Sequence, residues 1–347
     1  MMNRRKFLLT GAGLPLLSSC ASGLEPVSGG LLPAFAKRLD ASAVSYAVLR
    51  SGVPQASQAV VGAPDAIFQA ASLTKPVVAF AALRMAQAGQ LELAAPVSHY
   101  LSDGYRHFHD PLRRSDRDSS DLVPAKMLER VTVGQLLNHS SGFPNWSSKP
   151  LAFVAEPGQG WNYSGEGYVL LQGIMEAITR TGLAAYLDQH LFAPLEMRDT
   201  SLVWREAFEE RAVPGKMFLG LSRRARFRNA LAASTLYTTA ADYARFMAAF
   251  LADDALMQMT LAAAVDVSKP LGLAWGLGWG IERGAGGSHV WQWGNNPGFR
   301  AFAMASTTTK DGFVVLTNSE RGMPLAASIA QLVLPSDHGA FRFPPVA

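Results

Sequence analysis

Apolar positions recur along this chain with two different periods. Residues 31–40 show the spacing of a short helix, while Ala43 to Arg50 and residues 57–62 alternate as a strand pair. The stretch "LTKPVVAFAALRMAQAG", from Leu73 to about Gly89, is a helix with a glycine at its end. Helical spacing returns at 131–138, 166–181, 183–190 and 240–252. The pattern then shortens. "GLGWGIE", "HVWQWG", "GFRAFAMAS" and "GFVVLTN" are strand-length runs separated by glycine-rich or "TTKDG" turns, which predicts an antiparallel meander. A last helix is predicted over roughly 322–334, and no internal repeat is found.

Strands therefore lie near both chain ends, with helices between them. This order predicts a mixed α/β (α+β) fold: an antiparallel sheet, flanking N- and C-terminal helices, and an inserted, mostly helical region. The sheet region is expected at about 31–70 and 255–335, the helical region at about 71–254, and a tail at 336–347. A cleft between the two regions is the place to look for a site. The polar run "DGYRHFHDPLRRSDRDSSD", within 102–130, reads as a solvated loop or insertion.

Composition adds three limits. With 347 residues, 49% of them hydrophobic and 17% charged, the chain has ample material for a core and is no candidate for general disorder. The formal net charge is +4, but without Arg4, Arg5 and Lys6 it falls to 28 basic against 27 acidic side chains, so nothing points to a nucleic-acid footprint. Cys20 is the only cysteine, which excludes an internal disulfide and a multi-cysteine metal site. The first 20 residues read as a signal peptide: Arg4, Arg5 and Lys6 precede an apolar run from Phe7 to Leu17 that is too short to span a bilayer. The order Arg-Arg-Lys-Phe-Leu resembles a twin-arginine signal, and Leu17-Ser18-Ser19-Cys20 resembles a lipobox. A chance cysteine in a cleaved signal is one reading. The other is a lipid attached at Cys20, a tether over 21–30 and a periplasmic, membrane-anchored domain.

The chemistry begins with an oddity. Lys75 sits in the first turn of an apolar helix, three residues after Ser72, where Ser72 has the character of an N-cap. Burial among Ala, Leu and Val disfavours an ammonium and lowers its pKa, and a neutral amine beside a hydroxyl is a general base beside its nucleophile. Helix-start N–H groups favour the negative charge of an attacked carbonyl. A serine cap followed by a snorkelling lysine would give the same local sequence. Tyr163, in "WNYSGEGYVLLQG", ends a loop before a helix; a phenol near an ammonium can exchange protons, although a core tyrosine fits the segment too. In "WQWGNNPGFRAF", Gly294 and Gly298 bracket a strand start where backbone can pass close to a ligand.

Taken in order, "SLTK" at 72–75, "YSG" at 163–165 and "QWG" at 292–294 resemble the three site motifs of serine β-lactamases and penicillin-binding proteins. The similar branch holds class C β-lactamases, D-alanyl-D-alanine carboxypeptidases and esterases of the same fold. "LLNHSSGFP", "PLEMRDTS", "TTAADYARF" and "GLGWGI" extend the resemblance over roughly 30–335. It implies a cofactor-free hydrolase with Ser72 as acylated nucleophile, Lys75 as its activating base or electrostatic partner, and Tyr163 taking or relaying protons to the leaving group. The backbone N–H groups of Ser72 and Asn295 would form the oxyanion hole. Two positions depart from the pattern. Gly165 stands where β-lactamases and peptidases carry a substrate-holding Asn, and Gln292 stands where they carry Lys or His; Trp293 also replaces a small hydroxyl residue. Losing a charge-assisted contact to a substrate carboxylate costs about 1.5–3 kcal/mol. An ester with an apolar acyl group needs no such anchor, and Trp291, Trp293 and Phe299 would suit it. The expected substrate is therefore a small ester or amide. A peptidoglycan-derived peptide or a β-lactam is the alternative, with Arg300 a possible replacement cation, and a non-catalytic cell-wall-binding lipoprotein is the reading from another class. No metal site is expected, since His107 and His109 show no third ligand in the sequence, and His139 and Glu166 read as structural.

Overall fold

The computed structural model describes residues 29–113, 117–284 and 286–347. The leader, Cys20 and nearly all of the expected tether therefore lie outside the described residues. The first helix, α1 (Leu32–Arg38), leads into strands β1 (Val44–Arg50), β2 (Val53–Pro54) and β3 (Gln58–Val61). Short β4 (Phe68–Ala71) then runs into helix α2 (Thr74–Gln87). The middle of the chain holds a hairpin, β5 (Tyr105–Phe108) and β6 (Ser120–Val123), and helices α3 (Ala125–Leu128), α4 (Val133–Leu137), α5 (Gly165–Thr179) and α6 (Leu183–Leu187). Strands β7 (Gly215–Lys216), β8 (Ser222–Arg223) and β9 (Leu236–Thr238) precede α7 (Ala240–Ala252) and α8 (Asp254–Ala262). The meander follows: β10 (Val265–Ser268), β11 (Leu273–Trp275), β12 (Gly280–Gly284), β13 (Gly287–Asn296), β14 (Phe299–Ser306) and β15 (Gly312–Thr317), closed by α9 (Met323–Val333).

One nine-stranded antiparallel sheet runs β10-β11-β12-β13-β14-β15-β1-β2, with β3 also paired to β1. It is closed by β1 against β15, in the register Val44↔Thr317 to Leu49↔Gly312. Alternation along β14 sorts its two faces. Ala301, Ala303 and Ala305 join the core that contains α2, α5 and α7, while Phe302 and Met304 join the core under α1 and α9. Small residues on one face let helices approach, and large residues on the other fill the second layer.

Three expectations change. The polar run in 102–130 contains the β5–β6 hairpin, and His107 on it is buried, because its ring finds two carboxylates. The segment expected to be a tail is packed: His338, Ala340, Phe343 and Val346 are buried, and Ala340 N–H donates to Glu282 Oε2 on β12 at 2.9 Å. Helix α8 lies where the sheet region was expected to begin, and α6 continues into a π-helical turn, Asp188–Phe192. Among the described residues no helix is long and apolar enough to cross a membrane.

Candidate active site

Strand β4 delivers the serine. It is buried along its whole length and pairs with β9, and its last residue, Ala71, has a left-handed φ of 51°. That turn ends the strand sharply and sets Ser72 ahead of the helix. Ser72 is not the N-cap: Leu73 holds that position without a side-chain cap, and the Thr74 hydroxyl ties the turn by donating to Ala71 O at 2.6 Å. The Ser72 hydroxyl is thereby left for other partners. Its carbonyl accepts from Lys75 N–H at 3.0 Å, which opens α2.

Lys75 is 1% exposed, with Nζ 3.1 Å from Ser72 Oγ and 2.9 Å from the carbonyl of Ala233, to which it donates. Among the described residues no carboxylate pairs with it. Burial pushes its pKa down to about 7, so a large share of the amine is uncharged near neutrality. Besides those two oxygens, aromatic faces help the ammonium, Tyr163 at 4.8 Å and Tyr168 at 5.7 Å from Nζ to ring centroid. A snorkelling lysine would carry its head to water; this one ends in the core.

Tyr163 completes the triplet. Its hydroxyl is hydrogen-bonded to Ser72 and accepts from Gln292 Nε2 at 3.3 Å. Burial drives its pKa up, further than those two hydrogen bonds bring it down, so the phenol keeps its proton. Of the two directions of proton exchange, loss from the resting phenol is disfavoured, and Tyr163 is built to donate. Aromatic rings fix its angle, with Trp293 at 4.7 Å and His139 at 4.4 Å. His139 is framework: its Nδ1 accepts from Ser164 N–H at 3.1 Å, and burial, followed by the charge on Lys75, holds it neutral.

Strand β13 forms the opposite wall. Its pairing with β12 ends at Gly280↔Trp291, whereas its pairing with β14 continues to Asn296↔Phe299. Residues 292–296 are therefore an open edge facing β4. Gly294 is required there, because a Cβ would lie 2.4 Å from Ala70 O, two residues before Ser72. Asn295, next along, is exposed on this edge.

The two departures now have geometry. A Cβ at Gly165 would meet Asn145 O at 2.6 Å and the Trp146 ring at 2.8 Å, so the space for an asparagine there is taken. The Gly165 N–H donates to Asn145 Oδ1 at 3.1 Å. Gln292 is fully buried and turned onto Tyr163 and its neighbour's carbonyl, Trp293 O at 2.8 Å. The suggested acyl-site aromatics do not serve: Trp291 and Phe299 are at most 1% exposed and belong to the two cores. Apolar surface next to the Lys75 anchor comes instead from parts the sequence left unassigned. Leu112, Trp146, Leu231 and Phe227 line two adjoining cavities, about 350 and 190 Å3, that share Leu112 and Ser234. Ser234 follows Ala233, the residue that anchors Lys75.

A serine, a buried uncharged-prone amine and a proton-bearing phenol converge beneath an open strand edge. Residues 32–336 match the family described as Beta-lactamase, and the chain belongs to that family, whose fold is that of serine hydrolases. The chain is 32% identical over 182 residues to the esterase EstB of Burkholderia gladioli, covering 43% of this chain and 42% of EstB. It is 27% identical over 170 residues to penicillin-binding protein 4* of Bacillus subtilis, covering 42% of this chain and 33% of that protein. These matches thus span less than half of either relative. Among solved structures it resembles the octameric penicillin-binding protein homologue of Pyrococcus abyssi, with a TM-score of 0.71 at 20% identity over 88% of this chain and 77% of that one. A class C beta-lactamase gives a TM-score of 0.70 at 17% identity over 91% of this chain and 98% of that one.

Proposed function

We propose that this protein is a serine hydrolase that forms an acyl-enzyme on Ser72 and acts on small carboxyl esters or amides. The observation that carries the reading is the Lys75 amine, buried without a carboxylate among the described residues and 3.1 Å from Ser72 Oγ. Uncharged, it accepts the hydroxyl proton as Oγ bonds to the substrate carbonyl carbon. The N–H groups of Ser72 and Asn295 receive the negative charge on the carbonyl oxygen. Tyr163 donates its proton to the departing oxygen or nitrogen and recovers one from Lys75; water then attacks the ester on Ser72 by the reverse route.

The small-ester preference rests on Gly165 and Gln292. One has its space filled by Trp146, and the other spends its amide on Tyr163, so neither faces a substrate carboxylate. Apolar Leu112 and Trp146, 38% and 44% exposed beside Ser234, favour an acyl or alcohol group with hydrocarbon character. One observation favours the peptidase or β-lactamase reading: Arg300 and Arg321 line a cavity of about 330 Å3 together with Trp293 and Asn295, where an anionic substrate group could be held. The assay separates the two. The mature chain should hydrolyse p-nitrophenyl butyrate, Ser72→Ala should abolish turnover, and intact mass should show an acyl adduct on Ser72. Absence of ester turnover with vigorous β-lactam hydrolysis would reverse the ranking.

We also infer an exported, lipid-anchored location from the leader. A Cys20→Ser chain should move from the membrane to the soluble fraction; unchanged membrane retention would remove the anchor from the account.

A further inference from the structure

We propose that His107, His109 and Asp121 form a binding site for one borderline divalent transition-metal ion of the zinc class, separate from the acyl-transfer centre. The hairpin builds it. Along an extended strand, residues two apart share a face, so His107 and His109 project together. The register places Asp121 opposite His107 on the neighbouring strand. This is the third ligand that linear sequence concealed, and it corrects the expectation that His107 and His109 lack one.

The donor atoms are already gathered. Asp121 Oδ1 lies 2.7 Å from His107 Nδ1 and 3.2 Å from His109 Nε2, and the three ligand atoms all fall within 4.8 Å of one another. Asp121 Oδ2 is engaged by Leu151 N–H at 3.3 Å, which orients the carboxylate and leaves Oδ1 inward.

The far side of the ring is set as well. His107 is 1% exposed, and its other nitrogen, Nε2, faces a carboxylate. Glu166 Oε1 stands 3.4 Å from it, itself buried and oriented by Ser147 N–H at 2.9 Å. A carboxylate behind one imidazole nitrogen fixes the tautomer that presents the other nitrogen's lone pair to a metal. Glu166 does this for Nδ1. Entry is open, because His109 lines the 350 Å3 cavity beside Leu112 and Trp146.

A comparison within the same chain sharpens the assignment. Glu282, His289 and His338 also cluster, but His338 spends Nδ1 on Glu282 Oε1 at 2.7 Å and Nε2 on Leu334 O at 2.9 Å. That ring is also buried, at 2% exposed, while His109 opens the hairpin cluster to a cavity, so the second cluster reads as a pin for the C-terminal segment. At the hairpin the donor set, two imidazoles and one carboxylate with a fourth position toward the cavity, suits Zn2+ or Co2+ better than Ca2+ or Mg2+, which prefer oxygen. The ion would join the hairpin to the start of α5 through Glu166. It touches no reacting atom, and its role is to hold Leu112 and the hairpin against the rim of the serine site.

The test uses the tag-free full chain, stripped with EDTA and desalted. Titration with ZnCl2 in a calorimeter should give about one ion per chain, and CoCl2 should give the visible absorption of a low-symmetry four-coordinate site. His109→Ala and Asp121→Asn should each weaken zinc binding by tenfold or more, and His338→Gln should leave it unchanged. The absence of saturable heat and of cobalt bands with the unaltered chain would overturn the proposal, whatever the variants do. So would binding that survives His109→Ala or follows His338.

Discussion

Lys75 is the residue on which the chemistry turns, and its protonation should be visible in rate. Burial depresses its pKa to about 7, and only the uncharged amine can take the Ser72 proton. The sign follows: kcat/KM should rise with pH, by about tenfold per unit below the pKa, and level off above about 7. Lys75→Arg, which stays protonated, should cost between about 10^2- and 10^4-fold above pH 7, with the gap narrowing as the parent's own amine is protonated at lower pH. A flat profile from pH 5 to 9 would remove Lys75 as base. The pairing of Ser72 with Lys75 was legible because three residues make nearly one helical turn. The rest of this microenvironment was not. Ala233, which anchors the amine, lies 158 positions away, and nothing local announces it. The proton state of Tyr163 was hidden for the same reason, since burial is a property of the folded chain.

At the scale of elements, two strands set the geometry. Strand β13 overhangs the end of β12 and passes so close to β4 that Gly294 can carry no side chain without displacing Ala70. Gly294→Ala should push the Asn295 N–H off the developing oxyanion. We expect kcat to fall about 10^2-fold with KM nearly unchanged and the far-ultraviolet circular dichroism intact. Activity within threefold of the parent would mean that this edge does not form the hole. The meander itself was readable, because "HVWQWG" and "GFRAFAMAS" alternate cleanly and glycine or "TTKDG" separates the runs. The β5–β6 pair was not. Its strands carry His, Arg, Asp and Ser, with Val123 the one β-branched residue, and the contact of His107 with Asp121 across them emerges only once the register is known. The supposed tail was misread likewise, because His338 looks solvent-loving until Glu282 is placed beside it.

For the whole molecule, the prediction that early and late strands share one sheet is met by the β1–β15 ladder. That ladder has a consequence for how the protein comes into being. Residues 44–50 leave the ribosome long before residues 312–317 exist to receive them. Throughout that interval β1 is a bare strand with an unclaimed border, the kind of surface that recruits a stranger's backbone. The centre around Ser72 cannot be finished first, because its β13 wall belongs to the same late-arriving meander. This chain is therefore committed to a long, vulnerable youth, and a holding factor in the cell should matter more to its yield than any single contact in the finished fold.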